Sequence, residues 1–249
     1  MPVCKVEFFA RKCTAVNAFE VYGMPSPMTA IGFVRALTGR AGISCNDKVL
    51  YCVSDFEPHG TKSFTYTYAI FRSGDRDSGK PETQLDDPKA NMAGAVVFYA
   101  DAPMDGLAER IEDQLLGMRF AGGFITESKV GVYDTFDECK KSLRPGFFAV
   151  ERKLSGTDDP LSEIIREVAV GADKKKGSGW VVPSLMGFRM LGEPTKRKGG
   201  RMGLPHVFVD PLIGLMEFHS IRKATEADLW RMEKSGSVVR FTTAPKTEH

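Results

Sequence analysis

Apolar residues alternate in some stretches of the chain and recur every three or four residues in others. Residues 5–10 alternate and predict an opening strand. After a turn at Gly23, Pro25-Ser26-Pro27 predicts a helix start. Ser26 is a good N-cap, and Pro27 falls at the first helical position, where a missing N–H costs nothing. Ile31, Val34 and Leu37 follow at helical spacing, and Gly39 supplies a stop. Residues 49–53 and 64–71 read as strands, the second rich in aromatics and Thr. Residues 74–91 are polar and charged with two prolines, which predicts a loop. A short buried strand at 95–100, a helix at 103–116 with Leu107, Ile111 and Leu115 on one face, and a strand opening at Phe124-Ile125 complete the first half.

The second half predicts a strand at 147–150 and an amphipathic helix at 160–170. Further strands are expected at Trp180-Val181-Val182, 206–209 and 215–221, a helical turn at 228–232 and a terminal strand at 238–242. Residues 244–249 are expected to fray. The first succession is strand, helix, strand or hairpin, strand, helix, strand, the order of a ferredoxin-like (RRM-like) α+β fold. The expected organisation is a ferredoxin-like unit over 1–145. Residues 146–249 add an antiparallel sheet with a basic segment, packed on the first unit as one body. There is no internal repeat.

Composition narrows the function. The 249 residues are 42% hydrophobic and 27% charged, ordinary globular values that exclude wholesale disorder. No apolar run reaches the length of a membrane span, and the N-terminus lacks a signal-peptide layout. The five cysteines are scattered with no C-x-x-C pair, which argues against a disulfide framework or a zinc cluster and for a cytoplasmic setting. Net charge is only +2, but it is unevenly spread. Lys174, Lys175, Lys176, Arg189, Lys196, Arg197, Lys198 and Arg201 face one carboxylate, Glu193, in the same span, a local +7. The remaining 26 basic and 31 acidic residues leave −5 elsewhere. A localised positive field of this kind points to a polyanion.

Candidate chemistry is sparse. His59, His206, His219 and His249 show no metal-ligand spacing, and there is no nucleophile elbow, P-loop or dinucleotide fingerprint. Asp86-Asp87 and Asp158-Asp159 fit loops or helix starts better than acid–base catalysis. No catalytic set, metal or cofactor is expected. Nucleic-acid binding is the better expectation, because the basic segment is interleaved with Trp180, Phe188 and glycines. Cations neutralise phosphates, aromatic faces stack on unpaired bases, and glycines allow close backbone approach. Gly117-Met118-Arg119-Phe120-Ala121-Gly122-Gly123 carries the same ingredients, though a helix C-cap followed by a strand explains it equally well.

Several blocks together resemble a known family. Asn17-Ala18, Pro25-Ser26-Pro27 and Gly32-Phe33-Val34-Arg35-Ala36-Leu37 resemble the N-terminal region of the Cas-five-type subunits of subtype I-F CRISPR surveillance complexes, the second Csy proteins. The segment 117–123 resembles their G-x-M-R-[LF]-A-G-G block, and Leu143-Arg144-Pro145-Gly146-Phe147 their L-L-P-G-F block. Gly179-Trp180-Val181-Val182-Pro183 with Gly187-Phe188, and Asp228-Leu229-Trp230, are similar to two later blocks. All occur in family order between residues 17 and 230; the stretch between Arg152 and Gly179 is shorter than in the family.

The resemblance implies an RNA-binding scaffold of the RAMP superfamily rather than an enzyme. Such a subunit caps a Cascade-type ribonucleoprotein in antiviral defence and holds the 5′ handle of the crRNA. Its partners would be an adjacent backbone subunit, target DNA through the complex, and a large subunit that reads the PAM where one is present. The residues expected to meet nucleic acid are Ser26, Arg35, Arg119, Phe120, Gly122, Gly123, Trp180, Phe188 and the eight cations named above. One competing expectation is a RAMP-type endonuclease that processes CRISPR RNA, with His59 or His206 as its acid or base. The other is a free-standing RNA-binding protein.

Overall fold

The computed structural model describes residues 1–18, 21–59, 89–154, 159–172, 180–196 and 204–243. The strand expected at 64–71, most of the loop at 74–91, Lys174–Lys176, Arg197, Lys198, Arg201 and the 244–249 tail lie outside the described residues. The elements run β1 (Val3–Thr14), β2 (Val16–Ala18), β3 (Val21–Tyr22), α1 (Pro27–Ala41), β4 (Ser44–Pro58), β5 (Lys89–Asp101), α2 (Leu107–Leu115), β6 (Arg119–Phe120) and β7 (Gly123–Tyr133). Then come α3 (Phe136–Lys141), β8 (Phe147–Arg152), α4 (Pro160–Ala172), β9 (Trp180–Met190), β10 (Val209–Ser220), two 3-10 turns, β11 (Arg231–Ser235) and β12 (Val238–Thr242). The fold is α+β. Among the described residues ten strands form one sheet in the order β11-β12-β9-β10-β8-β4-β5-β1-β7-β6, with antiparallel neighbours.

Alternation along the central strands sorts side chains to two faces. Cys4, Val6, Phe8 and Ala10 of β1 point to one core, together with Val49, Tyr51 and Val53 of β4 and Met92, Val96 and Phe98 of β5. Ile31, Phe33, Val34 and Leu37 of α1 and Leu107, Ile111 and Leu115 of α2 cover that core, as the helical spacing predicts. The opposite face is covered only in part. There Val3, Leu50, Cys52, Val97 and Phe148 meet Phe136 and Cys139 of α3.

Sheet continuity across the middle rests on few contacts. β8 joins β4 through Cys52↔Phe148 and Val53↔Phe147. Trp230 reinforces the join from β11's side: it is fully buried, its Nε1 donates to the Ala149 carbonyl at 2.7 Å, and its backbone exchanges two hydrogen bonds with Val49.

Several boundaries differ from the pattern-based expectation. Ser26 sits at the N-cap and Pro27 at the first helical position, yet the Ser26 hydroxyl makes no capping bond. The first turn closes instead through the Thr29 N–H and the Ser26 carbonyl at 2.9 Å, with φ pre-set by the prolines. Helix α1 runs past Gly39 and stops at left-handed Gly42, because Ala41 is still buried against the core. Residues 103–106 form a turn rather than the first turn of α2. Lys89–Asn91 belong to β5. The strand expected at 215–221 is the longer β10, which starts at Val209, whereas of the strand expected at 206–209 only Val209 is in a strand and His206 forms an isolated bridge to Thr195. At 228–232 the chain leaves a 3-10 turn and enters β11. Helix α3 is short and has no counterpart among the expected elements. Thr135 caps it by accepting from the Glu138 N–H at 3.3 Å, and its acidic start and basic end suit the helix dipole. Among the described residues no helix is long and apolar enough to cross a membrane.

Candidate nucleic-acid interface

The segment 117–124 folds as a tight hairpin whose geometry explains its composition. Arg119 and Phe120 pair with Phe124 and Gly123, leaving Ala121 and Gly122 as a two-residue turn. Both have positive φ, 49° and 76°, the signature of a primed hairpin turn. For Ala121 that conformation is strained, at roughly 1–2 kcal/mol. The Ala121 carbonyl is held by the Thr14 N–H at 2.8 Å, which docks the turn on the end of β1.

Beside this turn β1 bends. Its register shifts between Ala10 and Cys13, and Lys12 has φ 57°. Arg11 lies directly across from Phe124. The Arg119 guanidinium stands over the exposed Phe124 ring at 4.3 Å from its centroid. Arg11, Lys12 and Arg119 are all exposed, and among the described residues none has an ion-pair partner. Three cations, one open aromatic ring and two adjacent strained backbone turns therefore occupy one corner of the sheet. Arg11 and Lys12 are not among the residues that the sequence pattern singles out; the available signal is a pair of adjacent cations where strand alternation breaks.

The structure separates the residues of this block by role. Arg119 and Gly122 face solvent, and a side chain at Gly122 would meet only Thr14 Oγ1, at 3.6 Å. Phe120 is removed from the candidate contacts: it is fully buried against Phe8, Phe33 and Tyr51, with ring centroids 4.4, 5.5 and 5.5 Å away. Gly123 is corrected too. Its close approach is to β1, since a Cβ there would fall 2.6 Å from the Arg11 carbonyl oxygen and 2.7 Å from Cys13 Sγ.

The other candidates lie elsewhere. Ser26 is buried under the start of α1. Arg35 is not a free cation: its guanidinium grips Asp47 with two bonds of 2.9 and 2.7 Å and reaches Met232 Sδ at 3.4 Å. These bonds hold the Asp47 carboxyl below its ordinary range. Trp180 is 63% exposed and rests on Phe218, with ring centroids 5.1 Å apart, so an apolar aromatic surface faces solvent at the start of β9. Phe188 instead packs against the core. Arg189 and Lys196 are exposed, on and after the same strand.

Strands β9 and β7 are six steps apart in the sheet order, but the sheet curls back: β9 contacts both α1 and β2, and β2 follows directly on the end of β1 that holds the Arg119 hairpin. Among the described residues no group of His, Cys, Asp and Glu could hold a metal ion. No protein-family model matches the chain, and no curated protein matches it either.

Proposed function

We propose that the chain is an RNA-binding scaffold subunit of a CRISPR ribonucleoprotein of the I-F type. It holds the 5′ handle of the crRNA, supports target-DNA binding through the complex, and acts by binding rather than catalysis. The fold half of this reading is a ferredoxin-like core of the RAMP kind. Supporting it are the chain order β1-α1-β4-β5-α2-β7 and the sheet order β4-β5-β1-β7, the interleaving such a core requires. A neighbouring backbone subunit, and a large subunit where one is present, are the expected protein partners.

One observation carries the reading. The 117–123 block of the family resemblance coincides with the exposed corner where Arg119 stands over Phe124, Arg11 lies across from Phe124 with its guanidinium over the Phe9 ring, and Lys12 follows in the bend of β1. Phosphates meet the cations there, an unpaired base meets the ring, and the Gly122 turn lets a sugar-phosphate chain come close. The double variant Arg11→Ala/Arg119→Ala is expected to bind a handle-sequence RNA more weakly. Its log affinity against log salt should flatten by about 0.7 for each phosphate that is no longer neutralised. An unchanged slope and affinity in a normally folded double variant would rule the corner out.

A further inference from the structure

The sheet face that α3 covers in part holds a second feature, a hollow of about 290 Å³, near the lower bound of roughly 300 Å³ for small-molecule sites. Its origin is residue size. Across the sheet, Cys52, Ala95, Glu7 and Lys129 form one row, and Ala93, Phe9 and Glu127 the next. The alanines of β5 leave a floor, the Phe9 ring stands beside it, and Arg144 closes one side from the loop before β8.

Glu7 is held in place from beneath. Lys5 is only 4% exposed, a costly location for an ammonium group. Its Nζ donates to Glu7 Oε1 at 3.1 Å and to the Ser142 carbonyl at 3.0 Å, and lies 5.6 Å from the Tyr133 ring centroid. Lys5 thereby fixes one oxygen of Glu7, and the carboxylate keeps further acceptor sites at the hollow. Among the described residues Lys129 and Arg144 have no ion-pair partner.

We infer that this hollow receives one unpaired nucleotide whose base carries an exocyclic amino group, guanine being the best fit. Glu7 and Glu127 are acceptors only, so the ligand must bring N–H donors. Guanine presents two side by side on its Watson–Crick edge, matching a carboxylate; uracil presents one between two carbonyls that a carboxylate repels. Phe9 offers a stacking face, and Lys129 and Arg144 supply the charge a phosphate needs. A cationic peptide would satisfy the carboxylates but meet those two cations. Lys5 is a positioning residue that acts through Glu7.

The inference rests on the RNA-binding reading and extends it to base preference. Its test uses the full chain, titrated with GMP and UMP by NMR, beside a handle-sequence RNA. GMP is expected to shift Phe9 ring signals and to bind at least tenfold more tightly than UMP. Ala93→Leu, which fills the floor from a partly exposed strand position, should weaken GMP at least tenfold with little change in melting temperature. Should Ala93→Leu not fold, Arg144→Ala should weaken GMP and leave guanosine unaffected. Equal affinity for GMP and UMP, or GMP binding indifferent to these substitutions, overturns the inference. If GMP fails while RNA still binds through Arg11 and Arg119, the hollow falls and the scaffold reading stands. If GMP binds as stated but RNA does not, the scaffold reading falls and the hollow stands.

Discussion

At the scale of single residues, charge is easy to see in the chain and its use is not. Arg35 reads as a cation available to phosphate; folded, it is committed to Asp47. The bond to Arg35 is the main reason the Asp47 carboxyl titrates below its usual 3.8. A carboxylate with a depressed folded pKa contributes its stability above the unfolded value and loses it as pH falls through the folded one. Both side chains are about two-fifths exposed, so the pair is worth at most about 1 kcal/mol. Arg35→Ala is therefore expected to lower urea stability by up to that amount near neutral pH. The difference from wild type should shrink toward pH 2; a difference that persists undiminished would assign the effect to packing of the Arg35 side chain. Phe120 teaches the same point from the apolar side. Arg119 and Gly122 beside it are exposed, but a two-residue strand has no period from which to tell which side chain turns inward.

At the scale of elements, long periodic stretches are legible and terminations are less so. The apolar faces of α1 and α2 follow directly from Ile31, Val34, Leu37, Leu107, Ile111 and Leu115, because burial enforces the 3.6-residue period. The end of α1 depends instead on a neighbour far along the chain. Arg110 of α2 donates to the Ala41 carbonyl at 2.7 Å and to the Gly42 carbonyl at 2.9 Å, so α2 finishes the C-terminus of α1. No local pattern around Gly39 could announce that. Gly42→Ala would force a Cβ into a left-handed backbone and to 3.2 Å from the Arg110 guanidinium. It is expected to cost about 1 kcal/mol or somewhat more, whereas Gly39→Ala, inside the helix with open space, should stabilise slightly. Matched thermal melts of the two variants check this, and equal effects would place the helix end elsewhere. Helix α3 escapes a reading by period because its six residues carry only two buried side chains, Phe136 and Cys139.

At the scale of the whole molecule, the described residues form the expected kind of fold, α+β, with strands of both halves of the chain joined in one antiparallel sheet. Hydrophobic pattern could suggest each strand but not the β4–β8 pairing, which involves two residue pairs some ninety positions apart. Trp230 makes that pairing durable. Trp230→Ala is expected to cost about 3–5 kcal/mol, the usual range for removing a buried Trp, and to leave the Ala149 carbonyl without its donor. Trp230→Phe should cost less. Denaturation should stay a single transition in wild type and split in Trp230→Ala; an unsplit transition would mean that the two strand sets are coupled by other contacts. The narrow join also sets a schedule for synthesis. The ribosome finishes β4 at Pro58 and must add 89 residues to reach Phe147, the first of the described residues to pair with β4's open side. At 5–20 residues per second that is a wait of roughly 5–20 s. For that interval the nascent chain carries a bare, apolar strand edge that can pair with another chain, so the newborn protein depends on chaperone cover longer than its modest size implies.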